Sequence, residues 1–134
     1  MLIILYSFLF SYMLFFSICV APVINTTLNR ENSSRLLRKI FPRNFIFGSI
    51  ISFVTLLGSI YYESLFSIII SSTLLIFFIL NLYVLIPKIN LEADKTKKTK
   101  SYTRKFKILH LLSVILYLIQ IILCLSFITY NLLY

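Results

Sequence analysis

Four stretches without a single Asp, Glu, Lys or Arg dominate the hydropathy pattern of this chain: residues 2–22, 45–62, 65–86 and 108–131. At ~1.5 Å per helical residue, each reaches across roughly the ~30 Å hydrocarbon layer of a bilayer. Two basic, polar stretches separate them, Asn25 to Arg43 and Pro87 to Lys107, together with a link of only Glu63 and Ser64. So short a link forces the third span to turn straight back along the second. The pattern therefore predicts an all-α, integral membrane four-helix bundle, a single domain over residues 1–134. A cleaved secretory signal is the rival for the first stretch. It fits poorly, because no positive residues lead the apolar run and Pro22 would follow the only small-residue cleavage site, Ala21.

Finer features sit on this frame. Pro22 is expected to end or kink the first helix, and Pro42 to stop a short amphipathic segment in which Leu36, Leu37, Ile40 and Phe41 oppose Arg35, Arg38 and Lys39. That segment reads either as a helix lying in the headgroup region or as a helical extension into water. Asn44 then stands where a cap for the second helix is needed. Within the second span Gly48, Ser52, Thr55 and Ser59 recur every three or four positions, a stripe that lets another helix approach closely. Pro22-Val23-Ile24-Asn25 and Pro87-Lys88-Ile89-Asn90 echo each other at the ends of the first and third spans. Duplication of a helical hairpin and coincidence both account for it.

Composition changes the picture in one respect. Hydrophobic residues make up 60% of the 134 and charged ones 13%, more apolar side chain than a water-soluble domain of this size can bury. The formal charge of +9 would point to nucleic acid in a soluble protein, but here the cations fall in two blocks beside apolar runs. The first holds Arg30, Arg35, Arg38, Lys39 and Arg43; the second holds Lys88, Lys95, Lys97, Lys98, Lys100, Arg104, Lys105 and Lys107. By the positive-inside rule both basic loops face the cytoplasm and both termini lie outside, in a bacterial cytoplasmic membrane. Tyr61, Tyr62, Tyr130 and Tyr134 then gather at the outer interface, where amphipathic rings are favoured. Arg35, Arg38, Lys39, Lys97, Lys98, Arg104 and Lys105 are the expected contacts to anionic headgroups. The expected partners are anionic lipid and a membrane protein or a second copy of the chain, with no nucleic acid.

Candidate chemistry concentrates in the fourth span. His110, Ser113, Tyr117, Gln120 and Cys124 are spaced by three and four residues, so they share one helix face. In lipid that face turns into the bundle, where Asn81 of the third span joins it in a polar seam. His110 is either a ligand, a proton carrier or a headgroup anchor, or else a structural side chain hydrogen-bonded across helices; the last is the simpler reading. One histidine is not a metal site, and Cys124 lies ~21 Å further along the same helix. Cys19, near the other end of the first span, is too distant from Cys124 for a disulfide. No charged residue interrupts a span, which weakens an ion-coupled pump. No catalytic residue, cofactor or metal is assigned.

Ala21-Pro22-Val23, Phe41-Pro42-Arg43 with Gly48 following, Pro87-x-Ile89-Asn90 and Phe106-x-x-Leu109-His110-x-x-Ser113 together resemble the bacterial four-helix membrane family related to transmembrane protein 205, known as domain of unknown function 4149. The resemblance marks Pro22, Pro42, Arg43, Pro87 and Asn90 as motif positions. It departs at the first helix, where the family tends to place a Trp and a Gly and this chain has Ser11, Tyr12, Phe15 and Phe16. Similarity of that family to copper-resistance membrane proteins implies a metal-related role. The expectation is nevertheless a non-enzymatic membrane partner, assembly or homeostasis factor. The alternative is a metal, haem or small-solute transport protein centred on His110.

Overall fold

The computed structural model describes residues 1–134 apart from Lys98 and Lys100. It is all-α, with four helices: α1 (Leu2–Thr27), α2 (Arg30–Tyr61), α3 (Leu65–Lys95) and α4 (Arg104–Leu133). All four are long and apolar enough to cross a membrane, and a third or less of each apolar window is buried inside the bundle. The faces turned outward carry Ile4, Phe8, Ile50, Phe53, Leu57, Ile69, Ile76, Leu111, Leu118 and Ile122. Such a surface suits lipid and would aggregate in water.

The helices run well past the apolar runs. The segment before Pro42 is a helical extension: α2 starts at Arg30, capped by the Asn29 side chain accepting from the Asn32 N–H at 2.9 Å. Contrary to expectation, Pro42 lies inside α2 and does not stop it. A proline in a helix interior costs ~3 kcal/mol, but here the flanking turns carry Phe41 and Phe45, whose rings pack into the bundle. Phe41 lies 5.7 Å from Phe16 and Phe45 lies 5.8 Å from Tyr117, both edge-on, and these contacts hold the helix on either side of the break. Asn44 is therefore within the helix, and its amide donates to the Tyr117 hydroxyl at 3.2 Å. Ser64 and Thr103 cap α3 and α4.

The other two prolines are accommodated differently. A five-residue π-helical turn, Phe16–Val20, precedes Pro22 in α1, and another, Asn81–Leu85, precedes Pro87 in α3. In each, the residue just before the proline donates back five positions, Ala21 to the Phe16 carbonyl and Ile86 to the Asn81 carbonyl. The wider turn holds the helix together where the ring would otherwise collide with the preceding carbonyl. The sequence echo thus extends to backbone geometry: π-turn, one residue, Pro, one residue, Ile, Asn. α2 packs most extensively on α3, α4 packs on both α1 and α3, and the contact between α1 and α2 is the thinnest.

The core is a column of Tyr6, Leu9 and Met13 from α1, Phe45 from α2, Ile70, Leu74 and Phe78 from α3, and Tyr117, Cys124 and Phe127 from α4. The small-residue stripe of α2 is buried against it. At Gly48 the backbone is so close to the Tyr12 hydroxyl and the Phe78 ring that a Cβ would overlap both. At Gly58 an added Cβ would meet only the end of the Leu2 side chain, at 3.2 Å. Gly48→Ala should accordingly cost about 1–3 kcal/mol of stability, with Gly58→Ala near neutral, because two rings cannot shift as a leucine tip can. Thermal unfolding in neutral detergent checks this; equal effects at the two glycines would contradict it.

Candidate functional site: an interior seam and a basic groove

Two regions collect the chain's polar side chains. The first is inside the bundle. Asn81 is fully buried on α3, where its carboxamide oxygen accepts from the Ser113 hydroxyl of α4 at 2.5 Å and its NH2 donates to the Phe77 carbonyl at 3.2 Å. Two turns further along α4, fully buried Gln120 donates to the Leu74 carbonyl at 3.0 Å. Tyr117, between them, accepts from Asn44. The structure thus places Asn81, Ser113, Tyr117 and Gln120 along one seam between α3, α4 and α2. His110 is not in it. That side chain is exposed, stacks parallel on Phe106 with ring centres 6.0 Å apart, and has no hydrogen bond among the described residues. It lines an open chamber at the basic end of the bundle, not a helix interface.

Sequence reading missed a further cluster toward the opposite end. The Tyr6 hydroxyl donates to the Ser67 carbonyl at 2.9 Å, Ser59 and Ser67 share a hydrogen bond of 2.6 Å, and Ser71 donates to Ser59 at 3.4 Å. Ser67 and Ser71 are four apart on α3 and face the α2 stripe, so the signal was there in the spacing. Among the described residues, the buried Tyr12 hydroxyl, Ser52 hydroxyl and Gln120 carboxamide oxygen have no hydrogen-bond partner. Cys124 is buried and Cys19 exposed, both as free thiols. Among the described residues no three His, Cys, Asp or Glu side chains come together as a metal-ligand set.

The second region is the end of the bundle where α1 meets α2 and α3 meets α4. Both basic blocks arrive there. Arg38 on α2 donates to Asp94 on α3 at 2.7 Å and to the Asn90 carbonyl at 3.3 Å. Arg30 donates to Thr96 and lies 4.0 Å from the centre of the Tyr102 ring. Glu92, almost fully buried on α3, pairs with Lys95 at 2.9 Å and with Lys105 of α4 at 3.5 Å. Asp94 lies beyond the apolar part of α3; Arg38, helped by Lys97, holds its carboxyl down at about 2. It therefore stays charged at any physiological pH.

Between these contacts opens a groove of about 550 Å³ lined by Arg30, Glu31, Arg35, Arg38, Lys97 and Tyr102, among others. A second chamber of about 290 Å³ adjoins it, sharing Arg30, Arg38 and Tyr102, and runs inward past Asn25, Leu37, Phe41, Asn90, Phe106 and His110. Of the cations expected to meet anionic headgroups, Arg35, Arg38 and Lys97 line this groove. Lys39 and Arg104 are exposed elsewhere, Lys105 is engaged with Glu92, and Lys98 lies outside the described residues. Of the motif positions, Pro22 and Pro87 follow the π-turns, Pro42 lies within α2, Arg43 is exposed, and Asn90 lines the second chamber beside its echo Asn25.

A family model described as Domain of unknown function (DUF4149) matches residues 4–98, well over half of the chain. The match spans α1, α2 and α3 and stops before α4, so the Phe106 to Ser113 motif lies beyond it. No curated protein and no solved structure matches the chain.

The seam yields a discriminating pair of substitutions. Asn81→Leu removes the partner of Ser113 and should cost about 1 kcal/mol, the usual worth of such a bond between helices in lipid. Tyr12→Phe removes a hydroxyl that has no partner, and should leave the melting temperature unchanged or raise it. If Tyr12→Phe destabilised as much as Asn81→Leu, the interior would be solvated and not a dry seam.

Proposed function

The chain belongs to the DUF4149 family, and from that premise we propose that it is a non-enzymatic, multi-pass protein of the bacterial cytoplasmic membrane, acting as a partner, assembly or homeostasis factor. One observation carries this reading: four outwardly apolar helices bring both basic blocks to a single end, joined there by the Arg38–Asp94 pair and by Arg30 against Thr96 and Tyr102. Positive charge gathered at one end of a bundle is what retains that end on the cytoplasmic side. Tyr61, Tyr62, Tyr130 and Tyr134 lie at the other end, all exposed, with Tyr61 and Tyr62 in edge-to-face contact at 5.3 Å. They would form the outer aromatic belt. Both termini then lie outside.

The kinship to transmembrane protein 205 belongs to this proposal as well, on the motifs shared along the chain. The seam supports a structural role, since Asn81, Ser113 and Gln120 spend their hydrogen bonds on one another or on the backbone. A metal, haem or transport site centred on His110 has less support, because no Cys, Asp or Glu lines the second chamber with it among the described residues.

Two measurements test the proposal. A reporter fused after Tyr134 should register as external and one inserted at Thr99 as cytoplasmic; the reverse pattern would overturn the assigned orientation. Protein purified as expressed should be colourless in the Soret region and substoichiometric in metal, with His110→Gln leaving the unfolding free energy within about 0.5 kcal/mol of the parent, as exposed substitutions do. Stoichiometric metal that disappears in that variant would establish the other reading.

A further inference from the structure

We propose that the groove at the basic end is a binding site for a phosphate-bearing anion, held by Arg30, Arg35, Arg38 and Lys97, with the adjoining chamber accepting the apolar part of a phospholipid. The groove has the volume and the charge for it. Four cations from two distant parts of the sequence surround about 550 Å³, and two carboxylates, Glu31 and Asp94, answer them. Among the described residues, the four cations outnumber these carboxylates by two around an open space. Bringing like charges together costs free energy that an anion in the groove would return.

The arrangement is also suited to phosphate in particular. Arginine offers a planar fork of donors that matches phosphate oxygens, and three of the four cations are arginines. Arg38 and Arg30 are oriented from behind, Arg38 by Asp94 and the Asn90 carbonyl, Arg30 by Thr96 and the Tyr102 ring. Arg35 and Lys97 stand at the rim, each largely exposed and each paired with one carboxylate. The second chamber argues for lipid over a soluble phosphate. Beside Arg30, Arg38, Asn25, Asn90 and His110, its lining adds a wall of Leu28, Leu37, Phe41, Ile89 and Phe106 that the first groove lacks. A phosphodiester at the rim would place its glycerol beside Asn25 and Asn90 and the start of an acyl chain along the leucine and phenylalanine wall.

This inference rests on the proposed orientation only for the source of the ligand, an acidic leaflet; binding in detergent does not depend on it. The test is native mass spectrometry of the full chain in neutral detergent, titrated with phosphatidylglycerol or phosphatidylcholine. Phosphatidylglycerol should be retained at about tenfold lower concentration than phosphatidylcholine, and Arg35→Gln with Lys97→Gln should abolish that preference. Lys88→Gln with Lys107→Gln, outside both chambers, should leave it intact. Glu31→Gln removes a competing carboxylate and should tighten retention, a gain that loss of folding cannot imitate. Competition separates the sources. Displacement of the lipid by millimolar inorganic phosphate or glycerol 3-phosphate assigns the site to a soluble phosphate, and resistance to it assigns the site to lipid. Equal retention of the two lipids, or unchanged preference in the Arg35/Lys97 variant, overturns the proposal. A reversed orientation in the fusion assay would leave this binding untouched, so the two readings fail separately.

Discussion

In hydrocarbon a peptide group has only the rest of the chain to bond to, and that constraint governs this fold more than any side-chain contact. Each span must be an unbroken helix, yet three prolines each delete a donor. The chain meets the deletion in two ways. At Pro22 and Pro87 a π-turn widens the helix and the preceding residue reaches back five positions, to Phe16 and to Asn81. At Pro42 the helix continues with a bond missing, in a turn flanked by Arg38 and Arg43 where water and headgroups can solvate the freed carbonyl. All three breaks fall toward the same end of the bundle, where solvation is cheapest.

Once the backbone is satisfied, helices in lipid gain nothing from burying leucine against leucine, because acyl chains are as apolar as the core. What remains is close approach and directed polar contact. Gly48 supplies the first, admitting Tyr12 and Phe78 to the α2 backbone. The Tyr6–Ser67–Ser59–Ser71 cluster and the Asn81–Ser113 and Gln120–Leu74 bonds supply the second. These lie at different heights along the bundle, so they fix helix register as well as adding energy. Tyr12 occupies the region where the resembled family tends to have a Trp and a Gly. Its unpartnered hydroxyl marks a place where this chain's packing has taken precedence over hydrogen bonding.

The sequence showed how many spans there are and which face of α4 turns inward, because both follow from periodicity and the absence of charge. Helix ends were not legible in the same way. The extensions at Arg30 and Lys95 depend on contacts between sequence-distant residues, Arg38 with Asp94 and Glu92 with Lys105, which no local pattern announces. Pro42 and Asn44 misled for the same reason, since local breaking and capping preferences were outweighed by the Phe41 and Phe45 rings and by the Tyr117 hydroxyl. His110 fell outside the seam because its ring stacks on Phe106 of its own helix and lines an open chamber between the helices, where no polar partner meets it among the described residues.

The two basic blocks would repel if each hairpin stood alone, and their meeting is the least obvious feature of the fold. Three of the four acidic residues are found among them, Glu31, Glu92 and Asp94. Glu92 is nearly buried, which is costly for a carboxylate unless cations surround it, as Lys95 and Lys105 do. Asp94 holds Arg38 and Lys97 at once. These acids tie α3 to α2 and α4, and among the described residues the groove is lined by more cations than carboxylates. A chain that needed only to mark one end with positive charge would keep its cations spread and solvated. Here Arg30, Arg35, Arg38 and Lys97 converge from both hairpins onto one opening, with Asn25 and Asn90, the paired positions of the internal echo, both lining the adjoining chamber. If the hairpins arose by duplication, this junction is where the two copies became one site.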